Sequence, residues 1–136
     1  TNVVQIRRGV IQLSRRLRAE KQVQGMSSTK VALLGHLVRN GPMTPGHLAQ
    51  VEFVQPQSLS RVLAEMAEAG LVSRTDHPDD GRQFLINATA LGRRSLSEDM
   101  RSRDAWLQQA MLNLTEAERQ VLGIAAGLME RMADSD

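Results

Sequence analysis

Gln57, Ser58, Ser60 and Arg61 place four polar side chains within a span of five residues. Gln and Arg can form paired hydrogen bonds to adenine and guanine edges, and Ser can serve several bases or a phosphate. Further along, Asp79-Asp80-Gly81-Arg82 sets an arginine beside carboxylates, with a glycine that permits a tight turn. An arginine on such a tip suits a narrow, negative minor groove, and Asp80 is expected to orient Arg82 rather than neutralise it. Thr44 and Arg74 are further candidates for contact with a nucleic-acid backbone. The competing reading is an ordinary solvated helix face and a surface ion pair of little energetic consequence.

Other chemistries find less support. No Ser-His-Asp set, phosphate loop or metal-ligand cluster stands at usable spacing, so catalysis is not expected. His36, His47 and His77 are scattered, lack an evident carboxylate partner and read as surface or structural residues. No metal or other cofactor is expected. The absence of cysteine excludes disulfides, thiolate metal sites and thiol redox sensing.

Positioning the reading residues requires elements, and the sequence marks their ends. Thr44-Pro45 offers a hydroxyl cap followed by proline at the first helical position, and this helix ends near Val51. Pro56 starts the next helix, with Leu59, Val62, Leu63 and Met66 as its buried stripe and Gly70 as its stop. Strands are expected over 71–75 and 83–87, flanking the polar tip at 77–82. A helix-turn-helix followed by such a hairpin is the layout of a winged helix, which sends one helix into the major groove and a loop beside it.

Longer helices flank this unit. Val3, Ile6, Val10, Leu13 and Leu17 recur at the 3.5-residue average of a helix–helix seam. Gln24-Gly25 breaks that pattern. Ser27 or Ser28 can cap a second helix carrying Val31, Leu34, Leu37 and Val38, which Asn40-Gly41-Pro42 stops. Thr89 can cap a fifth helix reaching about Asn113, with Leu96, Met100, Leu107 and Met111 among its apolar positions. Thr115 and Glu118 form a capping box for a sixth, carrying Val121, Leu122, Ala125, Leu128, Met129 and Met132. The expected fold is mainly α with a small β-hairpin wing: a winged helix-turn-helix over 25–92, between dimerisation helices over 1–24 and 93–136. The outer helices would interleave with those of a second chain and supply the two-fold symmetry that reads a palindrome.

Composition agrees with that plan. The 136 residues suffice for one domain, and 41% are apolar against only 2% aromatic, so Leu, Val, Ile, Met and Ala must build the core. No apolar run approaches a membrane span and no secretory signal is visible, so the cytoplasm is the expected location. The chain begins at Thr1 rather than Met, which leaves open whether residues precede it. Charge is uneven: +7 over 1–40, −1 over 41–54, and −2 each over 55–84 and 85–136. The reading segment is therefore not basic overall. This favours the alternative of a helical protein-interaction module, such as an anti-activator, that has lost DNA binding.

Several stretches resemble the MarR family of bacterial regulators. They are Gly41-Pro42-Met43-Thr44-Pro45-Gly46-His47-Leu48-Ala49-Gln50, Gln57-Ser58-Leu59-Ser60-Arg61-Val62-Leu63, Ala69-Gly70-Leu71-Val72-Ser73-Arg74, and Asp80-Gly81-Arg82 onward to Gly92. Where the family has a Leu-Thr pair before a glycine, this chain has Ala88-Thr89-Ala90-Leu91-Gly92. The resemblance implies a winged-helix homodimer on near-palindromic double-stranded operators, usually a repressor released by a small ligand. By position it gives Ser58, Ser60 and Arg61 the major-groove role and Arg82 the minor-groove role. The family's cysteine-based peroxide sensing is excluded here, and zinc sensing lacks its clustered ligands. Phenolic or other aromatic anions often bind in the family where the winged helix meets the dimer layer. Arg16, Met26, His36 and Arg103 are the candidate lining residues in this chain.

Overall fold

The computed structural model describes residues 2–20 and 26–135. Eight elements follow one another: α1 (Val3–Ala19), α2 (Ser28–Asn40), α3 (Pro45–Glu52), α4 (Pro56–Glu68), β1 (Val72–Asp76), β2 (Phe84–Ala88), α5 (Ala90–Met111) and α6 (Glu116–Ala133). The Gln24-Gly25 break, and with it the expected boundary between 24 and 25, lies outside the described residues. The mainly helical winged-helix architecture expected from the sequence is the one observed.

Helix ends fall where the capping residues stand. Ser27, Thr44, Thr89 and Thr115 each accept a hydrogen bond from a backbone N–H in the first turn of the helix they precede. Thr115 and Glu118 complete the reciprocal box. The backbone N–H and then the hydroxyl of Thr115 hold the Glu118 carboxyl below its usual 4.5. Gly41 ends α2 with φ of +81°, a conformation that glycine adopts without steric penalty.

Leu33, Leu34 and Leu37 of α2, Leu48 of α3, Leu59 and Met66 of α4, and Ile86 of β2 form the most deeply buried part of the core. Phe84, Leu96 and Met100 pack against it half-buried. Two details of the second helix differ from expectation: Leu33 is buried, while Val38 is exposed. The β1–β2 hairpin is antiparallel and pairs Val72 with Ala88 through Asp76 with Phe84, one residue later on each strand than expected. The shift has a local cause. The Leu71 N–H donates to the Met66 carbonyl in the turn at Gly70, so Leu71 finishes the helix instead of starting the strand. Met43 adds a one-residue bridge to Ile86, tying the α2–α3 connection to the hairpin through hydrogen bonds of 3.1 and 2.8 Å.

The junctions at the base of the hairpin are clasped. The Thr89 hydroxyl donates to the Gly70 carbonyl at 2.5 Å and accepts from the Gly92 N–H at 3.0 Å. The Thr89 N–H donates to the Leu71 carbonyl at 3.1 Å. A Cβ at Gly92 would collide with that carbonyl, so only glycine lets α5 sit this close to the start of the hairpin.

By contrast, α1 and α6 bury no residue of their own. Val3, Ile6, Val10 and Leu13 on α1, and Val121, Ile124, Leu128 and Met132 on α6, are exposed.

Candidate nucleic-acid interface

α4 stands on an apolar stripe of Leu59, Leu63 and Met66, which sends the intervening positions outward. Gln57, Ser58, Ser60 and Arg61 are accordingly all exposed on its first two turns. Gln55 supplies no side-chain cap and Pro56 has no N–H to donate. The first intrahelical bond from this end is Leu59 N–H to the Gln55 carbonyl, at 3.2 Å. The N–H groups of Gln57 and Ser58 are thus left without intrahelical acceptors, an arrangement that attracts anions. Ser60 donates its hydroxyl to the Pro56 carbonyl at 3.1 Å, so it presents acceptor lone pairs to a ligand rather than its proton. Thr44 is half-buried, and its oxygen accepts from the His47 N–H at 3.2 Å. Its own O–H stays available to a phosphate.

The wing tip is organised by two side chains. His77 Nδ1 accepts from the backbone N–H groups of Asp79 and Asp80, at 3.1 and 3.2 Å, and so closes the turn. Asp80 Oδ1 accepts from both the backbone N–H and the Nε of Arg82, at 3.0 and 3.2 Å, and Oδ2 accepts from Gln83 at 3.3 Å. The Arg82 backbone N–H and then its side chain hold the Asp80 carboxyl below its usual 3.8. Arg82 keeps 92% of its side chain in solvent, so its remaining guanidinium N–H groups are open. Arg74 is exposed on β1, with its guanidinium carbon 3.6 Å from the centre of the Phe84 ring. The contact was hidden in the sequence because it depends on strand register.

The acidity of 55–84 is partly answered by pairing. Glu65 lies 3.4 Å from Lys30 of α2, and Asp80 is committed to Arg82. Lys30 lies outside the segment, so its pairing with Glu65 in the second half of α4 offsets one negative charge, whereas Arg82 is already counted in the sum.

The four residues expected to line a ligand crevice are not brought together. Met26 is 3% exposed and belongs to the core. Arg16 pairs with Glu20 and lies 4.5 Å over the Trp106 ring, between α1 and α5. His36 faces a different cleft, beside α3 and the end of α6. It also has the carboxylate partner that the sequence did not reveal. His36 Nε2 lies 2.7 Å from Glu52, sixteen residues away on another helix. Arg103 alone borders a crevice of about 390 Å³ between α1 and the winged-helix core, with Ser14, Arg18, Ser28, Thr29 and Glu52. Its charge is met by Asp99, fully buried 3.0 Å away. That pair was missed because charges on a long amphipathic helix read as solvated. Among the described residues, no group of three or more metal-ligating side chains comes together. No described helix is long and apolar enough to cross a membrane.

Residues 24–83 match the sequence pattern of the MarR family. An uncharacterized HTH-type transcriptional regulator of Mycobacterium bovis is 38% identical over 125 residues, which is 92% of this chain and 87% of that protein. A crystal structure of a Pseudomonas aeruginosa PA01 protein superposes with a TM-score of 0.82 at 31% identity, covering 98% of this chain and 93% of that one. The apo form of wild-type MarR from E. coli shares the fold, with a TM-score of 0.80 at 22% identity over 95% of this chain and 97% of its own. Exposed polar side chains on α4, an arginine-tipped wing and similarity to such proteins over most of the chain lead to one conclusion. The chain belongs to the MarR family of winged-helix, DNA-binding transcriptional regulators.

Proposed function

We propose that the chain is a homodimeric repressor, not an enzyme, which works in the cytoplasm on a near-palindromic operator and leaves it when a small anion binds. The observation that carries this reading is the pair of unpartnered apolar faces on α1 and α6. Burying one Val, Leu or Ile contributes about 1.5–3 kcal/mol, so leaving this many in water is a large penalty that a second copy removes. Residues 1–24 and 93–136 then form the dimer layer, and 25–92 form the DNA-binding lobe.

Each lobe has a division of labour. Gln57, Ser58, Ser60 and Arg61 read base edges in the major groove, and Arg82, aimed by Asp80, enters the adjacent minor groove. Thr44, Arg74 and the free N–H groups at the start of α4 hold phosphates. The effector site is the crevice bordered by Ser14, Arg18, Ser28, Thr29, Glu52 and Arg103. Arg103 is neutralised by Asp99 and Glu52 faces His36, which leaves Arg18 as the cation for a singly charged ligand. Three hydroxyls beside it suit the ligand's other polar groups.

Sedimentation at low micromolar concentration, paired with a gel shift on the DNA upstream of the chain's own gene, tests the reading. The expected result is a dimer whose affinity falls steeply with salt. A folded, stable monomer would end the dimer assignment. A salt-insensitive or absent shift would favour a protein-interaction module instead.

A further inference from the structure

Arg74 and Phe84 sit diagonally across the hairpin, since Arg74 pairs with Ile86 and Phe84 lies two residues before Ile86. The face they share also carries the buried Ile86, and all three residues border one cleft with Ser60, Leu63 and Ala64 of α4. Phe84 is half-buried and packed against the core, so its ring is a fixed platform. The Arg74 guanidinium lies over that ring at 3.6 Å and makes no hydrogen bond or ion pair with any described residue. Contact with a ring uses the face of a guanidinium, whereas its N–H donors lie in its plane. Stacking therefore fixes the orientation of the fork without using a donor.

The location gives the stack a purpose. Arg74 borders the cleft between α4 and the hairpin, with Pro45, Ser60 and Leu63. It also borders the shallow depression that holds Gly81, Arg82 and Gln83 at the wing. It thus stands between the element that enters the major groove and the tip that enters the minor groove. The phosphate strand dividing those grooves must pass there. We propose that Phe84 is a positioning residue for DNA binding: its ring holds the Arg74 guanidinium flat, with its donors presented to the phosphates of the dividing strand. A fork that is already oriented loses less freedom when it grips a phosphate. The inference rests on the placement of Arg74 at the DNA backbone.

Phosphate contacts are blind to sequence, so the probe is a fluorescently labelled mixed-sequence duplex of about 30 base pairs, titrated at several salt concentrations. Arg74→Ala should weaken binding and make the salt slope shallower by about one unit. Phe84→Leu, which keeps the apolar fill, should weaken binding about two- to fivefold, while Phe84→Tyr should match the parent. In the Arg74→Ala background Phe84→Leu should have no further effect. Unchanged binding and slope in Arg74→Ala would remove the backbone placement and the platform together. An Arg74→Ala effect, with Phe84→Leu costing the same in both backgrounds, would overturn the platform alone. Should Phe84→Leu fail to fold, Arg74→Lys decides: the charge without the planar fork should bind more weakly, and parental affinity would overturn the proposal.

Discussion

Arg82 is almost entirely in solvent, yet it is aimed, because one carboxylate takes both its backbone and its side-chain N–H. Such a residue contributes little to folding, so its replacement should be felt on DNA. Arg82→Ala should leave thermal unfolding unchanged and make the salt dependence of operator binding shallower by about one unit. Parental affinity and slope would show that the wing stays clear of the DNA. Arg61→Ala should instead cost about 1–3 kcal/mol and relax preference at one position per half-site. A loss shared evenly by all sequences would move Arg61 to a phosphate. The Asp80 brace on Arg82 should persist over the neutral range. Asp80 titrates below its usual 3.8, so its charge is complete above that value and is lost only as pH falls through the lower one. Phe53 differs in kind. It is 90% exposed and adopts φ of +57° at the end of α3, where a side chain meets its own backbone. Phe53→Gly should raise stability by about 0.5–1 kcal/mol in denaturant unfolding. A loss of stability would mean that the ring makes contacts beyond those of the single chain.

Elements in this chain are joined as tightly as they are folded, and Gly92 is the clearest case. Gly92→Ala forces a methyl group into the Leu71 carbonyl, and overpacking against backbone should cost about 3 kcal/mol in denaturant unfolding. A neutral variant would show that α5 can slide away from the hairpin. Much of this architecture was legible in the sequence, because it is written in local chemistry. Thr44-Pro45, Pro56, Thr89 and Thr115 start their helices, and Gly41 and Gly70 end theirs. The alternation of leucines on α4 settled which of its residues face outward. What escaped depends on distance along the chain. The Met43–Ile86 bridge has no period to detect, and His36–Glu52 joins two helices whose approach no local pattern specifies. Likewise, the choice of Arg18 over Arg16 at the crevice turns on the rotation of α1 about its axis, which a seven-residue seam leaves loose.

For the whole molecule, taken as the proposed dimer, the question is how events at its dimer layer would reach the DNA. Two half-sites are read together only when the two α4 helices stand about one helical turn, ~34 Å, apart. An effector need not touch α4 to break binding; it need only favour a different spacing. Trp106, the one tryptophan, lies under Arg16 where α1 meets α5, so it reports on that joint. Small monocarboxylates, aromatic and aliphatic, are the compounds to screen by its emission. The expected hit shifts the emission and weakens operator binding in parallel. A ligand that shifts the emission at saturation and leaves affinity intact would uncouple the crevice from the DNA.

The clasp of Gly70, Leu71, Thr89 and Gly92 also has a mechanical meaning. It welds the end of α4, the hairpin base and the start of α5 into one piece. α5 then works as a rigid arm about 33 Å long, at ~1.5 Å of rise per residue. A tilt of about 5° at its far end would carry the welded end through about 3 Å. Hydrogen bonds to base edges tolerate only a few tenths of an ångström. In the proposed dimer, such an arm would let a displacement too small to disturb packing at one end pull the exposed α4 side chains out of register with the bases at the other.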